Sequence, residues 1–259
     1  MTFLYELDRS TWPKRYARTF DDYLQRWEAL LSSLSGQVIA FGDDDRVQAI
    51  AERYATYIQK PLQSWPSWSS LDSARACVAR KYSNEVPERF SAEYVCLQLC
   101  KFDAMQYAIE RFDAKEWVWI DGGLRETMIP KTWDVKWPRR KVYVALQKPQ
   151  RPMGGCFGGD AESVLWLCEE IRNMREALVV KGECGNDQEL LEVVYSRHPH
   201  RFEGRKSYNI SKWRTYETQW GYLCVALGIM SEPKDETFVG VYVMVFLACL
   251  KLLLAVLGG

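Results

Sequence analysis

Two rhythms of apolar and polar positions alternate along this chain, and the changes of rhythm divide it into elements. Residues 2–7, TFLYEL, carry the aromatic and apolar mix of a first strand. The rhythm then turns helical: Tyr16, Phe20, Tyr23, Leu24, Trp27, Leu30 and Leu31 recur at spacings of one side of a helix. Gly36 closes that helix, and QVIAFG (37–42) predicts a second strand. The acidic run Asp43-Asp44-Asp45 leads into a predicted helix over 45–58. A turn-rich aromatic segment, PLQSWPSWSSLD, comes next, followed by a long helix over 91–112 and a short apolar strand at 117–120. KVYVALQ (141–147) predicts a further strand, and RPMGGCFGGDAES reads as a glycine-rich connection. Helices are expected over 160–176 and 187–197.

Strand–helix alternation of this kind predicts an α/β domain with a mainly parallel central sheet flanked by helices. No internal repeat and no linker divides the first 230 residues, so a single domain is expected over 1–230. The tail, 231–259, contains FVGVYVMVFLACLKLLLAVL (238–257), twenty residues whose one charge is Lys251. That is an apolar C-terminal helix long enough to span a bilayer, with a lysine able to snorkel to the interface. An interface or core helix satisfies the same pattern.

Composition narrows the function classes. Acidic and basic residues balance at 34 each, so no global field draws the chain to nucleic acid, and none is expected as a partner. Eleven tryptophans and fourteen tyrosines supply cores, and also faces on which sugar and base rings stack. The eight cysteines are scattered without a CxxC pair or zinc-like spacing, and the N-terminus has no signal-peptide pattern. A reducing, cytoplasmic setting is the expectation, with membrane association through the tail as an addition.

Candidate chemistry begins at EWVWIDGGLRE (116–126), where an apolar strand ends on Asp121 and then Gly122-Gly123. Ligands of open α/β sheets gather outside the carboxyl ends of strands. A carboxylate there suits a divalent cation, which wants oxygen ligands; an Asx turn needs the same residue. Lys101 lies in the apolar helix CLQLCKFDAMQYAI (96–109), where a buried ammonium needs an anionic partner, Asp121 or a phosphate, unless it snorkels out. Gly154, Gly155, Gly158 and Gly159 make a cluster that exposes backbone N–H groups or admits a ligand ring. It matches neither the P-loop nor the GxGxxG spacing. In GECGNDQELLEVV (182–194), Asn186 or Asp187 caps a helix, and Asp187 is also a candidate catalytic carboxylate. His198 and His200, across a proline, form a candidate metal half-site or a polar loop.

These segments, taken in order, resemble a family. TFLYELDR is followed by W-x-x-R-Y, then a K-x-D-A-x-x-x-A helix leads into W-I-D-G-G. A G-G-x-F-G-G-D segment and D-Q-E-L-L…HP…F follow, and the likeness spans roughly 2–225. The chain is similar in these motifs to the bacterial HtrL/YibB proteins and related WlaTC-type sequences, associated with surface polysaccharide and glycosyltransferase-like folds. The resemblance implies a single GT-A-like (Rossmann-like) domain moving a sugar from a nucleotide-sugar donor to a glycan or glycoconjugate acceptor. It implies Mn²⁺ or Mg²⁺ held by Asp121 and, since the usual D-x-D is reduced here to one acid, by a further ligand from the His198/His200 region (His200 the candidate) or by the donor diphosphate alone. Arg9, Lys101 and the Gly154–Gly159 segment would hold the donor, and Asp187 would act on the acceptor or sugar. A catalytically inert glycan or protein binder of the same fold, or a membrane-tethered assembly component, are the rival expectations.

Overall fold

Side-chain alternation along the strands is the feature from which the fold is built. The computed structural model describes residues 1–10, 12–14, 16, 18–34, 36–83, 86–123, 140–148 and 151–206. The 238–257 segment lies outside the described residues; among those described, no helix is long and apolar enough to cross a membrane. Strands β1 (Thr2–Phe3), β2 (Ile39–Gly42) and β3 (Thr56–Gln59) form a parallel sheet in the order β1-β2-β3. Strands β4 (Glu116–Ile120), β5 (Val142–Lys148), β6 (Arg151–Asp160) and β7 (Phe202–Lys206) form a second sheet in the order β4-β6-β5-β7.

Two hydrogen bonds join the sheets edge to edge. The Met1 amino group donates to the Val118 carbonyl, and the Ile120 N–H donates to the Met1 carbonyl at 2.8 Å. The strands therefore run β3-β2-β1-β4-β6-β5-β7. Within the second sheet only β6 opposes its neighbours, pairing antiparallel with β4 and β5, while β5 and β7 are parallel. The expected mainly parallel sheet is thus a mixed α/β arrangement, with a wholly parallel half and an antiparallel insertion in the other half.

Both faces are covered, and the period of two sorts the residues between them. Ile39, Phe41, Trp117, Trp119, Val142, Val144 and Phe157 enter one core, with α4 (Ala92–Ile109), α5 (Ala161–Val180) and α6 (Asp187–Arg197). Their neighbours Val38, Ala40, Ile120, Tyr143 and Cys156 enter the other, with α1 (Phe20–Ser33) and α2 (Asp45–Ala51). In that second core the Trp27 indole is fully buried and donates to Thr2 Oγ1 at 3.2 Å. Helix α4 is apolar on nearly every side because the sheet, α3 (Leu71–Lys81), α5 and α6 surround it.

Several boundaries differ from the sequence expectation. Helix α1 begins at Phe20, where Thr19 and Asp22 form a reciprocal capping box, so 12–19 stays outside it. The helix expected to 58 stops at Ala51, and 56–59 becomes β3, because parallel pairing with β2 captures that aromatic and β-branched segment. Helix α3 and strand β7 have no counterpart in the sequence pattern; α3 buries only Ala74, Cys77 and Val78, too sparse a stripe to announce itself. RPMGGCFGGD, expected as a loop, is strand β6.

Candidate functional site

Three strand segments end or begin on one edge of the sheet, and a cavity of about 540 Å³ opens there. The order β2-β1-β4 places β1 where the strand sequence turns back on itself, the switch point at which open α/β sheets hold ligands. Phe3, Leu4 and Tyr5 leave β1 into the cavity, and Asp121, Gly122 and Gly123 leave β4 into it. Since β6 runs the other way, its first residues, Arg151, Gly154 and Gly155, reach the same edge.

The alternation that buries Trp117 and Trp119 continues to Asp121, so its side chain points to the α4 face. The Asp121 N–H extends the ladder by donating to the Gly155 carbonyl at 2.9 Å. On α4, Tyr94, Leu97, Gln98 and Lys101 line the cavity as one helical stripe. Lys101 sits at its inner end with a side chain only 2% exposed. Its ammonium donates to Asp121 Oδ1 at 2.8 Å, to Asp187 Oδ2 at 2.6 Å and to the Gly154 carbonyl at 3.0 Å. The Trp119 indole donates to the same Asp121 oxygen at 2.7 Å.

Asp187 comes from the first turn of α6, where the helix dipole favours a negative charge. The capping is done by Asn186, whose side chain accepts from the Glu189 N–H while Glu189 reaches back to the Asn186 N–H. Gln188 pins this turn to β6: its Oε1 accepts from the Gly154 N–H at 3.0 Å, and its Nε2 donates to the Pro152 carbonyl. A Cβ on Gly154 would stand 2.6 Å from Asp187 Oδ2. A Cβ on Gly122 would stand 2.7 Å from the Phe3 carbonyl and 2.8 Å from Trp27 Cδ1. The double glycine after Asp121 is explained in part by that close approach of β4 to β1 and α1.

Electrostatics follow from the geometry. Burial pulls the Lys101 ammonium down, but Asp121 and Asp187 outweigh it and hold it above the ordinary lysine range. Burial raises the Asp121 carboxyl above the usual carboxylate range; Lys101 opposes this and the Asp187 charge adds to it. Arg9 enters the cavity with its guanidinium carbon 4.3 Å from the Tyr23 ring centre and 5.2 Å from that of Trp12. Among the described residues Arg9 has no carboxylate partner, so its charge is available to an anion.

Arg9, Lys101, Asp121, Gly154, Gly155 and Asp187 therefore meet at one cavity. Gly158, Gly159 and His200 do not join them. Gly158 and Gly159 pair with Val118 and Trp117 in mid-sheet, and Gly159 lacks a side chain because the Lys141 carbonyl would stand 2.7 Å from its Cβ. The cluster is thus no phosphate-cradling loop, and the Gly154 N–H is already committed to Gln188. His200, exposed in the turn Pro199–Arg201, precedes β7, whose direction matches β4 through β5 and β6. It therefore lies at the opposite edge from Asp121 and cannot share a metal with it. His198 meets Glu170 at 3.7 Å and the edge of Trp166 instead.

Other cavity residues carry no functional signal in the sequence. Trp12, Tyr94 and Gln98 follow from the α1 approach and the α4 stripe once the fold is known. Glu88, on the turn Pro87–Arg89, has no spacing signal at all. No three His, Cys, Asp or Glu side chains among the described residues gather to hold a metal. Asp121 and Asp187 each keep one oxygen without a partner among the described residues. Such a donor set fits a divalent ion that arrives with a diphosphate, as Mg²⁺ commonly binds through one or two carboxylates plus phosphates. It does not fit an ion caged by protein alone. The six described cysteines are buried outside any disulfide, and none of them lines the cavity. No known family model matches the chain, and no curated protein sequence matches it.

Proposed function

We propose that this chain is a glycosyltransferase of GT-A type, moving a sugar from a nucleotide-sugar donor to a hydroxyl of a glycan or glycoconjugate. The observation that carries the reading is the convergence of Arg9, Lys101, Asp121 and Asp187 from four distant segments on one switch-point cavity. The doubly wound β3-β2-β1-β4 half is the architecture that binds nucleotides at this edge. The volume, about 540 Å³, is that of a small-molecule site, and its walls carry the aromatic rings that stack on bases and sugars.

The residues divide the work by their chemistry. Arg9, stacked on Tyr23 and without a carboxylate partner among the described residues, takes the diphosphate. Lys101 fixes the two carboxylates and keeps them from repelling each other. The oxygen of Asp121 that Lys101 leaves open would hold Mn²⁺ or Mg²⁺, which when bound neutralises charge on the departing nucleoside diphosphate. Asp187 borders the sugar. In this reading the catalytic part faces the cytoplasm, and the 238–257 segment makes any membrane contact. A second reading, an inert binder on the same fold, is favoured by one observation: Lys101 already occupies an oxygen of both carboxylates.

Thermal unfolding of the full chain with UDP-, GDP-, CMP- and dTDP-sugars, with and without Mn²⁺, separates the two. One nucleotude class is expected to raise the midpoint with metal; a ligand at a hundred times its Kd adds about 2.7 kcal/mol. Asp121→Asn should abolish the metal-dependent part. No shift with any donor, from folded protein, would sink the transferase reading.

A further inference from the structure

The cavity holds a third carboxylate, Glu88, whose surroundings differ from those of Asp121 and Asp187. Pro87 opens the turn that carries it. Its Oε1 accepts from Gln98 Nε2 at 3.1 Å and from Asn186 Nδ2 at 3.3 Å. Both donors are neutral amides fixed by other elements. Gln98 stands one helical turn before Lys101 on α4, and Asn186 is held by its capping box at the start of α6. Glu88 is thereby aimed by two helices without an ion pair among the described residues, and its own backbone N–H is a further donor to the carboxylate. Asp121 and Asp187, by contrast, each surrender an oxygen to the Lys101 ammonium.

We propose that Glu88, rather than Asp187, receives the proton of the acceptor hydroxyl, and that the acceptor binds between Pro87–Glu88 and Asn186. The assignment rests on the transferase reading. In the step, the acceptor O–H proton passes to Glu88 Oε2, and the oxygen lone pair forms the bond to the anomeric carbon. The bond from that carbon to the diphosphate oxygen breaks, and its electron pair leaves with the nucleoside diphosphate. Displacement from the face opposite the leaving group inverts the anomeric centre. The two amides and one carboxylate of the subsite are groups that hydrogen-bond hydroxyls, which suits a hydroxyl-bearing acceptor such as a sugar ring. Burial, with the Asp187 charge adding to it, holds the Glu88 carboxyl above its ordinary range, which strengthens it as a proton acceptor.

The test compares wild type, Glu88→Gln, Glu88→Asp and Asp187→Asn in the full chain. Donor-induced thermal shift, acceptor KM, kcat and the pH–rate profile are read for each. Glu88→Gln keeps the acceptor atom for both amides, so it should fold and retain the donor shift. Its kcat should fall about 10²- to 10⁴-fold, the usual weight of general base catalysis, and the acidic limb of the profile should vanish. Glu88→Asp should recover part of the rate and keep that limb. Transfer by Glu88→Gln within about threefold of wild type, or a rise in acceptor KM with kcat and the acidic limb intact, overturns the assignment while leaving the transferase reading in place. Absence of any donor shift in the wild type overturns both.

Discussion

Replacing Lys101 by methionine removes the one cation that joins three parts of the site and leaves its stem volume nearly filled. Two of its three hydrogen bonds go to carboxylates, the third to the Gly154 carbonyl. Removing one partner from a buried ion pair costs about 3–5 kcal/mol, because the remaining charge stays desolvated. Asp187 has a side chain 8% exposed and pays that penalty; Asp121, at 29%, gains some water. The expected loss is therefore at the lower end, about 3 kcal/mol at pH 7. For a domain of this size that is a fall in Tm of roughly 6–12 °C. The raised Lys101 pKa fixes the sign: its contribution is complete below the unfolded lysine value and is lost only as pH rises through the folded value. The raised Asp121 pKa means that acidification protonates this carboxyl early and relieves the mutant's unpaired charge. The gap between wild type and Lys101→Met should thus be widest near neutrality and narrow as pH falls. Urea unfolding followed by tryptophan fluorescence at several pH values measures it. A loss under about 1 kcal/mol at pH 7, the range of exposed pairs, would refute the buried bridge. So would a gap that is unchanged by acid.

Gly122→Ala should destabilise the fold by about 1–3 kcal/mol in the same assay, as overpacking does, since its Cβ meets the Phe3 carbonyl and Trp27. Gly154→Ala, whose Cβ would crowd Asp187 Oδ2, should displace Asp187 from Lys101; reduced midpoint together with reduced donor-induced shift is the expected result. His200→Ala should change stability by no more than about 0.5 kcal/mol and leave any metal-dependent thermal shift untouched, because His200 lies exposed at the far edge. Loss of that shift would return His200 to the site.

What the chain's own pattern decided is local. The period of two in VIAF and WVWI sorts the strand residues between two cores, and it also aims Asp121 at the α4 face. The near-total apolarity of α4 made Lys101 a residue in need of a counter-charge, and Asn186-Asp187 marked the start of α6, with the choice of Asn186 as the cap left to the structure. Where the pattern failed, the deciding contacts were distant ones. Glycines have no side chain to register a period, so GGCFGG read as a loop, while its pairing with β4 and β5 makes it a strand. The reason for Gly154 lies 33 residues away at Asp187, and that for Gly159 at the Lys141 carbonyl. Residues 56–58 fell within a segment expected to be helical, and pairing with β2 makes 56–59 a strand instead. Histidine 200 and Asp121 were candidates for one metal until the direction of β7 set them at opposite edges. Glu88 entered the site through a turn with no motif of its own. Strand order and direction are settled by hydrogen bonds between segments far apart in sequence. Asp121 was already a candidate partner for the buried Lys101, whereas the arrival of Asp187 and Glu88 beside that pair is a property of the tertiary structure.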